Sequence, residues 1–423
     1  MVSSLLIGMF VLLLSGTSIY VALGLASFIS IGLFSDIQPM ILIQKLFGGL
    51  DKFALMALPF FILSANLMDK GGLSSRILNL SKALVGHISG GAGLTTQVAC
   101  MFFGALSGSA PATVVAIGKT MYPALLRSGY NPSFASGLLA QAAAIALVIP
   151  PSITMIVFGA TTGVSVGKLF MAGVGAGIVF GSIVLLYIYF YSRKNNIITD
   201  EKASLGELRR AFIDSLAALM VPVIIIGGIY GGIFTPTESA AVSAIYALLI
   251  GLYFYKEITW KDFYTICKES AVTSAQVLVL IAAAQALGWV LTVGQVPQYV
   301  TDNLLAGISS PIVFFMILNA ILLVLGMFMD ATAAIIITMP IAFPMAMALG
   351  IDPVHLGIVV IVNLAIGQFT PPFGLNIYVT ASISGLTMVE MFPGLMRFII
   401  VNIIALLVIT YIPQISLFLP NLL

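Results

Sequence analysis

Charge is what this chain has least of. Asp, Glu, Lys and Arg make up 8% of its 423 residues, against 60% hydrophobic, and mean hydropathy is +1.16. Soluble domains carry about a quarter charged residues, so a soluble globular fold is excluded. Cysteine is nearly absent too. Cys100 and Cys267 are isolated in apolar or helical context, which leaves neither a disulfide framework nor a thiolate metal site. The apolar runs are long and lack the period-2 alternation of an outer-membrane barrel. A net charge of +2 gives no reason to expect a nucleic-acid partner. What remains is an all-α polytopic membrane protein whose surroundings are lipid. At about 20 apolar residues per span it holds roughly ten to twelve membrane segments. Met1–Phe34 has no basic leader region and no small-residue cleavage motif, so it reads as membrane helix and not as a signal peptide.

The few charges are clustered. Lys45 to Lys82 holds Lys45, Lys52, Lys70, Arg76 and Lys82, and the spacing of Ile77-Leu78, Leu80 and Leu84-Val85 fits a helix lying along the interface. Arg193 to Asp214 is the most polar run and the best link between halves. Lys256 to Glu269 reads as a third polar, amphipathic loop. From Ser270 to Met396 there is no Lys or Arg, only Asp302, Asp330, Asp352 and Glu390.

Against this background two Pro-Pro pairs stand out, Pro150-Pro151 and Pro371-Pro372, each inside a long hydrophobic segment. Proline removes a backbone N–H and pushes the preceding residue out of the α region. In lipid, carbonyls freed this way are tolerated only against protein, water or an ion. The pairs are 221 residues apart, and that offset also superposes Pro123 on Pro344, Gly129 on Gly350, Asn131-Pro132 on Asp352-Pro353, Ala160 on Ala381 and Ser109 on Asp330. Chance among Pro and Gly explains one such match, not a gapless series over roughly fifty residues, so the chain contains an internal repeat. An inverted repeat, with its sites between the halves, is the expected kind in secondary transporters. Each half begins with an apolar segment interrupted by small or polar residues, Gly104 to Thr113 and Gly326 to Thr332. Both read as re-entrant hairpins in preference to one helix with a small-residue stripe.

Hairpin tips and helix breaks expose backbone ends. N-termini suit carboxylates, and unwound carbonyls suit cations. The first half offers Ser107, Ser109, Thr113, Ser152, Thr154 and the carbonyls from Ala146 through Val148 to Pro150, with no carboxylate. Such a hard-oxygen set favours Na⁺ over H⁺ as coupling ion. The second half offers Gly326, Thr332, Asn363, Gly367, Gln368, Thr370, Asn376 and the acid Asp330. An acid between apolar runs is usually functional. Its bland reading is an N-cap for the helix from Ala331, and both can hold at once. Thr235-Pro236-Thr237-Glu238 is fully explained as a capping box. Lys119 and Arg127 read as snorkelling residues beside the first hairpin. His87 and His355 read as ordinary interface residues in loop-like context.

Enzyme signatures fail. Gly118-Lys119-Thr120 has the ending of a phosphate loop, but Thr113 stands at the leading glycine position. Ala105 occupies the first glycine of what would be a nucleophile elbow, and Asp330 has no second acid for a protease dyad. The chain is expected to be no enzyme and to need no cofactor. A channel or a membrane scaffold is the rival class, although channels use rings of equivalent residues and this chain has two unlike repeats.

Several of these segments match one family. Ser107-Gly108-Ser109-Ala110, Gly129-Tyr130 with Phe134-Ala135, Ile149-Pro150-Pro151-Ser152-Ile153, Gly232-Ile233-Phe234-Thr235-Pro236-Thr237-Glu238 and Phe369-Thr370-Pro371-Pro372-Phe373-Gly374 resemble the large membrane subunit of tripartite ATP-independent periplasmic (TRAP) transporters. The likeness covers nearly the whole chain, departing where Pro111-Ala112-Thr113 follows the first tip in place of Ala-Asp and small residues. The resemblance implies an elevator-type fold in the bacterial inner membrane, a small four-helix membrane subunit and a periplasmic substrate-binding protein as partners, and transport driven by a Na⁺ gradient. No four-helix block precedes Met1, so the small subunit is expected as a separate chain. The family's ion sites map onto Ser107, Ser109, Val148 and Pro150, and onto Gly326, Gly367 and Thr370; Ala146 joins them from the carbonyl argument. Substrate is expected near Ser107, Ser152, Asp330 and Thr332. The implied substrates are organic acids. The hydroxyl-rich lining and the lack of a buried Arg lean towards sialic acid, with C4-dicarboxylates the alternative. The expected division is 1–90 scaffold and interfacial arm of the first repeat, 91–192 its transport region, 193–210 linker, 211–310 scaffold and arm of the second repeat, 311–392 its transport region and 393–423 a C-terminal helix.

Overall fold

The computed structural model describes residues 1–296, 299 and 310–422. The end of the expected 211–310 block, and Asp302 within it, lies outside the described residues. Among the described residues the secondary structure is helical, and eight helices are long and apolar enough to cross a membrane. The charge-poor composition therefore appears as helices that satisfy interior N–H and C=O groups within their own segment.

Met1–Phe34 forms two helices, α1 (Val2–Leu14) and α2 (Ile19–Phe34), folded back through Gly16 at φ +81°. Ser30 Oγ donates to Met1 O at 2.7 Å across that hairpin. Then come α3 (Met40–Leu50), a short 3₁₀ turn at Phe53–Met56, α4 (Ala57–Lys70) and α5 (Leu73–Val85). The α5 helix buries Leu73, Ile77 and Leu80 and leaves Ser75, Asn79 and Lys82 exposed, so it is amphipathic as its apolar spacing predicts. Arg76 pins its start: the guanidinium pairs with Glu257 at 2.8 Å, lies 3.6 Å from the Tyr255 ring and donates to Gly72 O.

Two matched blocks follow. The first is α6 (Gly91–Ser107), α7 (Ala110–Arg127), α8 (Pro132–Ala144), α9 (Ile153–Thr162) and α10 (Val166–Lys194). Between them, α11 (Leu205–Pro222, continuing through a π-helical turn to Tyr230), α12 (Pro236–Leu249) and α13 (Trp260–Val293) carry the chain across. The second block is α14 (Pro311–Phe328), α15 (Ala331–Ala348), α16 (Pro353–Gly367), α17 (Leu375–Ser384) and α18 (Met388–Tyr411). Adding 221 to the bounds of α7 gives those of α15, and the other pairs agree within a few residues. Both Pro-Pro bonds are cis, and Gly129 and Gly350 both have positive φ.

Three expectations change. Lys256–Glu269 is not a loop: Thr259 and Asp262 form a capping box, and Lys261–Glu269 are the first turns of a 34-residue helix. Arg193-Lys194 close α10 and residues 205–210 open α11, so only Asn195–Ser204 is irregular between them. His355 is buried on α16, with Nδ1 2.7 Å from Ser416 Oγ and Nε2 3.1 Å from Thr410 O. A neutral imidazole fills both bonds there, which a loop position would have left to water.

The helices associate in two groups. One joins α1–α4 with α12 and α13; the other joins α6–α10 with α14–α18. Within the second group contacts run crosswise. The helix after break one, α9, packs on the second hairpin's outgoing arm, α15, with Phe158 edge-on to Phe343 at 6.5 Å. The helix after break two, α17, packs on α7, where Gly118 makes room for Ile383. Close backbone approach holds α8 to α18. The Gly394 N–H donates to Ser133 Oγ at 3.0 Å, and a Cβ on Gly394 would overlap Ser133 O at 1.8 Å.

That contact yields a stability prediction. Gly394→Val forces the backbones of α8 and α18 away from each other and is expected to cost about 2 kcal/mol or more. Gly227→Ala, where an added Cβ meets nothing within 4 Å, should change little. Thermal unfolding in detergent compares the two; equal midpoints would contradict the packing described.

Candidate functional site

The site is built from two hairpin–break junctions. In the first, α6 ends at Ser107 and Gly108 turns the chain at φ +59°, donating its N–H to Gly104 O at 2.9 Å. Ser109 is extended and opens α7, with Pro111 in the first turn where no N–H is needed. The tip is tied by hydroxyls. Ser107 Oγ and Thr113 Oγ1 are 2.9 Å apart, and Thr113 Oγ1 donates to Ser109 O at 2.8 Å. All of this presses on the first break. A Cβ on Gly104 would stand 2.9 Å from Ala146 Cα, and one on Gly108 would stand 2.6 Å from Pro151 O.

The break itself follows from its prolines. In a continuous helix the carbonyls of Ala146 and Leu147 would accept from residues 150 and 151, both Pro. Leu147 O finds Thr154 Oγ1 at 3.4 Å, and that hydroxyl also meets Ser152 Oγ at 2.6 Å. Ile149 N–H is used by Ile145 O at 3.0 Å. Among the described residues no donor reaches the carbonyls of Ala146, Val148 or Pro150. The Val148 carbonyl faces α10, where a Cβ on Gly173 would meet it at 2.7 Å. Ala146 therefore packs on Gly104, one turn before the tip, whereas the Val148 carbonyl faces a different helix.

The second junction has the same plan, with donors at the Gly367 and Gln368 carbonyls. Gly326 of α14 abuts Gly367 of α16: a Cβ on either would lie 3.0 or 2.6 Å from the other's Cα. Gly367 O accepts Thr370 N–H at 3.1 Å, Gln368 O accepts Asn376 N–H at 2.9 Å, and Thr370 Oγ1 donates to Ile366 O at 2.7 Å. Phe373 N–H donates to Met327 O at 3.1 Å, joining break to hairpin directly. Asp330 occupies the N-cap of α15. Its Oδ2 accepts Thr332 N–H at 2.9 Å, and its Oδ1 is 3.4 Å from Gln368 Nε2. Asp330 is half-buried; Thr332, Thr370 and Gln368 are buried, and Gln368 Oε1 has no partner among the described residues.

The structure thus brings Ser107, Ser109 and Ala146 to one junction, with Ser152 on the adjoining Pro151 strand, and Gly326, Gly367, Thr370, Asp330 and Thr332 to the other. The two sets share no hydrogen bond among the described residues. They are linked through α8 and α17, where Asn376 Nδ2 donates to Ala140 O at 2.8 Å. Two contributors escaped the sequence reading. Met327 acts through its carbonyl, which no side chain signals. Lys52, between α3 and α4, donates its ammonium to Ala160 O at the C-terminal end of α9. Burial lowers its pKa below the ordinary lysine range.

Comparison with known proteins shows which family carries these two glycine-lined junctions. Residues 6–415 match the family model described as tripartite ATP-independent periplasmic transporter, DctM component. The chain belongs to this family. Over 400 residues, 95% of this chain and 94% of the relative, it is 40% identical to the C4-dicarboxylate TRAP transporter large permease protein DctM of Pseudomonas aeruginosa. It is 36% identical to the sialic acid TRAP transporter large permease protein SiaM of Vibrio cholerae, over 90% of this chain and 89% of that one. Among solved structures its fold is similar to the YdaH transporter of Alcanivorax borkumensis, with TM-score 0.64, 16% identity and 90% of each chain covered. As a TRAP large permease it is a multi-pass inner-membrane component of a tripartite transporter, and not an enzyme.

The glycine contact is testable by size alone. Gly367→Ala places its methyl 2.6 Å from Gly326 Cα and Gly326→Ala places its own at 3.0 Å, so the first should depress uptake in reconstituted vesicles more than the second. Equal activity of both variants and wild type would mean the junction tolerates separation.

Proposed function

We propose that this TRAP permease imports an organic acid by Na⁺-coupled secondary active transport, with the substrate delivered by a periplasmic binding protein and a small four-helix subunit in the membrane complex. The observation that carries the ion assignment is the open first junction. Ala146 O has no donor among the described residues, and the hairpin that ends in Ser107 and Ser109 packs on this stretch of backbone through Gly104 and Gly108. A buried carbonyl without a donor, beside a hairpin tip that carries hydroxyls and no carboxylate, suits Na⁺, which needs no proton exchange at its ligands. A second Na⁺ is assigned to Gly326, Gly367 and Thr370; because the Gly367 and Thr370 carbonyls already accept Thr370 N–H and Gly374 N–H, it binds there only as the junction rearranges. Val148 and Pro150 contribute carbonyls on the far side of the first break.

Substrate lies between the tips, against Ser107, Ser152, Asp330 and Thr332. The repeats are inverted, and the hairpins with α8, α9, α16 and α17 move as one body against the frame of α1–α4 and α11–α13. Na⁺ couples only if it binds the loaded state differentially; ordering the first junction supplies that difference. Sialic acid is the favoured substrate. No Lys or Arg occurs from Ser270 to Met396, and Lys119 and Arg127 are exposed on α7, leaving hydroxyls and amides to line the junctions. A C4-dicarboxylate has in its favour the higher identity to the relative named for it.

Proteoliposome uptake of labelled sialic acid and of succinate, with Na⁺ replaced by K⁺ at fixed pH, tests both the coupling and the substrate. Uptake of one acid that stops in K⁺ is expected; uptake indifferent to the swap would sink the coupling. For Asp330→Asn the helix cap survives, since Asn caps as well as Asp. Uptake should nevertheless fall roughly tenfold or more for loss of a charge-assisted contact. Wild-type uptake by that variant would remove Asp330 from the substrate site.

A further inference from the structure

The base of the first hairpin carries a polar cavity that the transport reading does not use. Its volume is about 410 Å³, and it is walled by α5, α6, α7 and the linker between the repeats. From α7 comes Arg127, exposed, with no carboxylate in ion-pair distance among the described residues. From α5 come Asn79 and Lys82, and Lys82 pairs at 3.3 Å with Asp200 of the linker. Thr120 adds a hydroxyl. Thr95 of α6 also lines the cavity; it is 2% exposed, and its Oγ1 has no hydrogen-bond partner among the described residues.

The wall formed by the linker is fixed. Ile198 N–H donates to Ser128 O at 3.1 Å and Asp200 N–H to Gly86 O at 3.2 Å. Against Asp200 stand the two cations Lys82 and Arg127, so the lining carries one excess positive charge. A buried hydroxyl without a partner is costly unless something fills it. A free guanidinium, an ammonium, an amide and hydroxyls in one place are the donors a phosphate group takes. The cavity's α5 wall is the amphipathic helix whose apolar face is buried and whose polar face is exposed, the geometry of a helix at the headgroup level.

We propose that this cavity binds a phosphate group, carried by an anionic lipid or free in solution, which bridges Lys82 of α5 to Arg127 of the first hairpin. Bound there, the group ties the interfacial arm to the base of a hairpin whose tip forms the first junction.

Native mass spectrometry of the full chain in detergent tests this with phosphatidylglycerol, phosphatidylcholine and inorganic phosphate. Wild type should retain phosphatidylglycerol in preference to phosphatidylcholine, and Arg127→Gln should weaken that binding about tenfold. Lys119→Gln removes an exposed cation of the same helix that does not line the cavity and should bind as wild type. Thr95→Val should weaken binding with helical content unchanged. Arg127-dependent binding of inorganic phosphate without the lipid would support the site with the soluble anion as its source. Equal binding by Arg127→Gln and wild type for both ligands, or an equal loss in Lys119→Gln, would overturn it.

Discussion

In a bilayer every carbonyl needs a partner, and proline pairs inside helices take two partners away at a stroke. The rest of this structure is arranged around that deficit. The hairpin tips are where the missing contacts are made good, and glycine is what lets them come close enough. Gly104 stands on Ala146 and Gly326 on Gly367 because a side chain at any of the three glycines would hold the backbones apart. The crosswise packing of α9 on α15 and of α17 on α7 then fixes both junctions within one body of helices.

The two halves resolve the same deficit differently, and the difference is chemical. In the second half Thr370 N–H and Asn376 N–H close the carbonyls of Gly367 and Gln368. In the first half the corresponding Ala146 carbonyl stays open, and Leu147 has only a long bond from Thr154. The caps diverge in parallel. Ser109 and Asp330 are equivalent positions, yet only Asp330 caps its helix with a side chain and adds a carboxylate to the tip. At equivalent positions one half thus leaves a carbonyl without a donor and the other bears an acid.

Much of this was legible in the residues. The hairpins, the breaks and the capping box at Thr235–Glu238 rest on short-range rules: proline lacks an N–H, glycine takes positive φ, and Thr with Glu three residues later satisfies a helix start. Two segments differ from the expectation, each for its own reason. Lys256–Glu269 passed for a loop because charge hides the start of a helix that emerges from the membrane. His355 passed for a surface residue because its partners, Thr410 and Ser416, are more than fifty positions away.

By itself the sequence determined the class, the repeat and the places where helices must break, since each depends on residues adjacent in the chain and on the solvent they meet. Only the tertiary structure decided which freed carbonyls find donors, that Val148 faces α10 while Ala146 packs on Gly104, and that Lys52 reaches Ala160. Those outcomes depend on backbone oxygens and on distances between segments, and neither has a letter in the sequence.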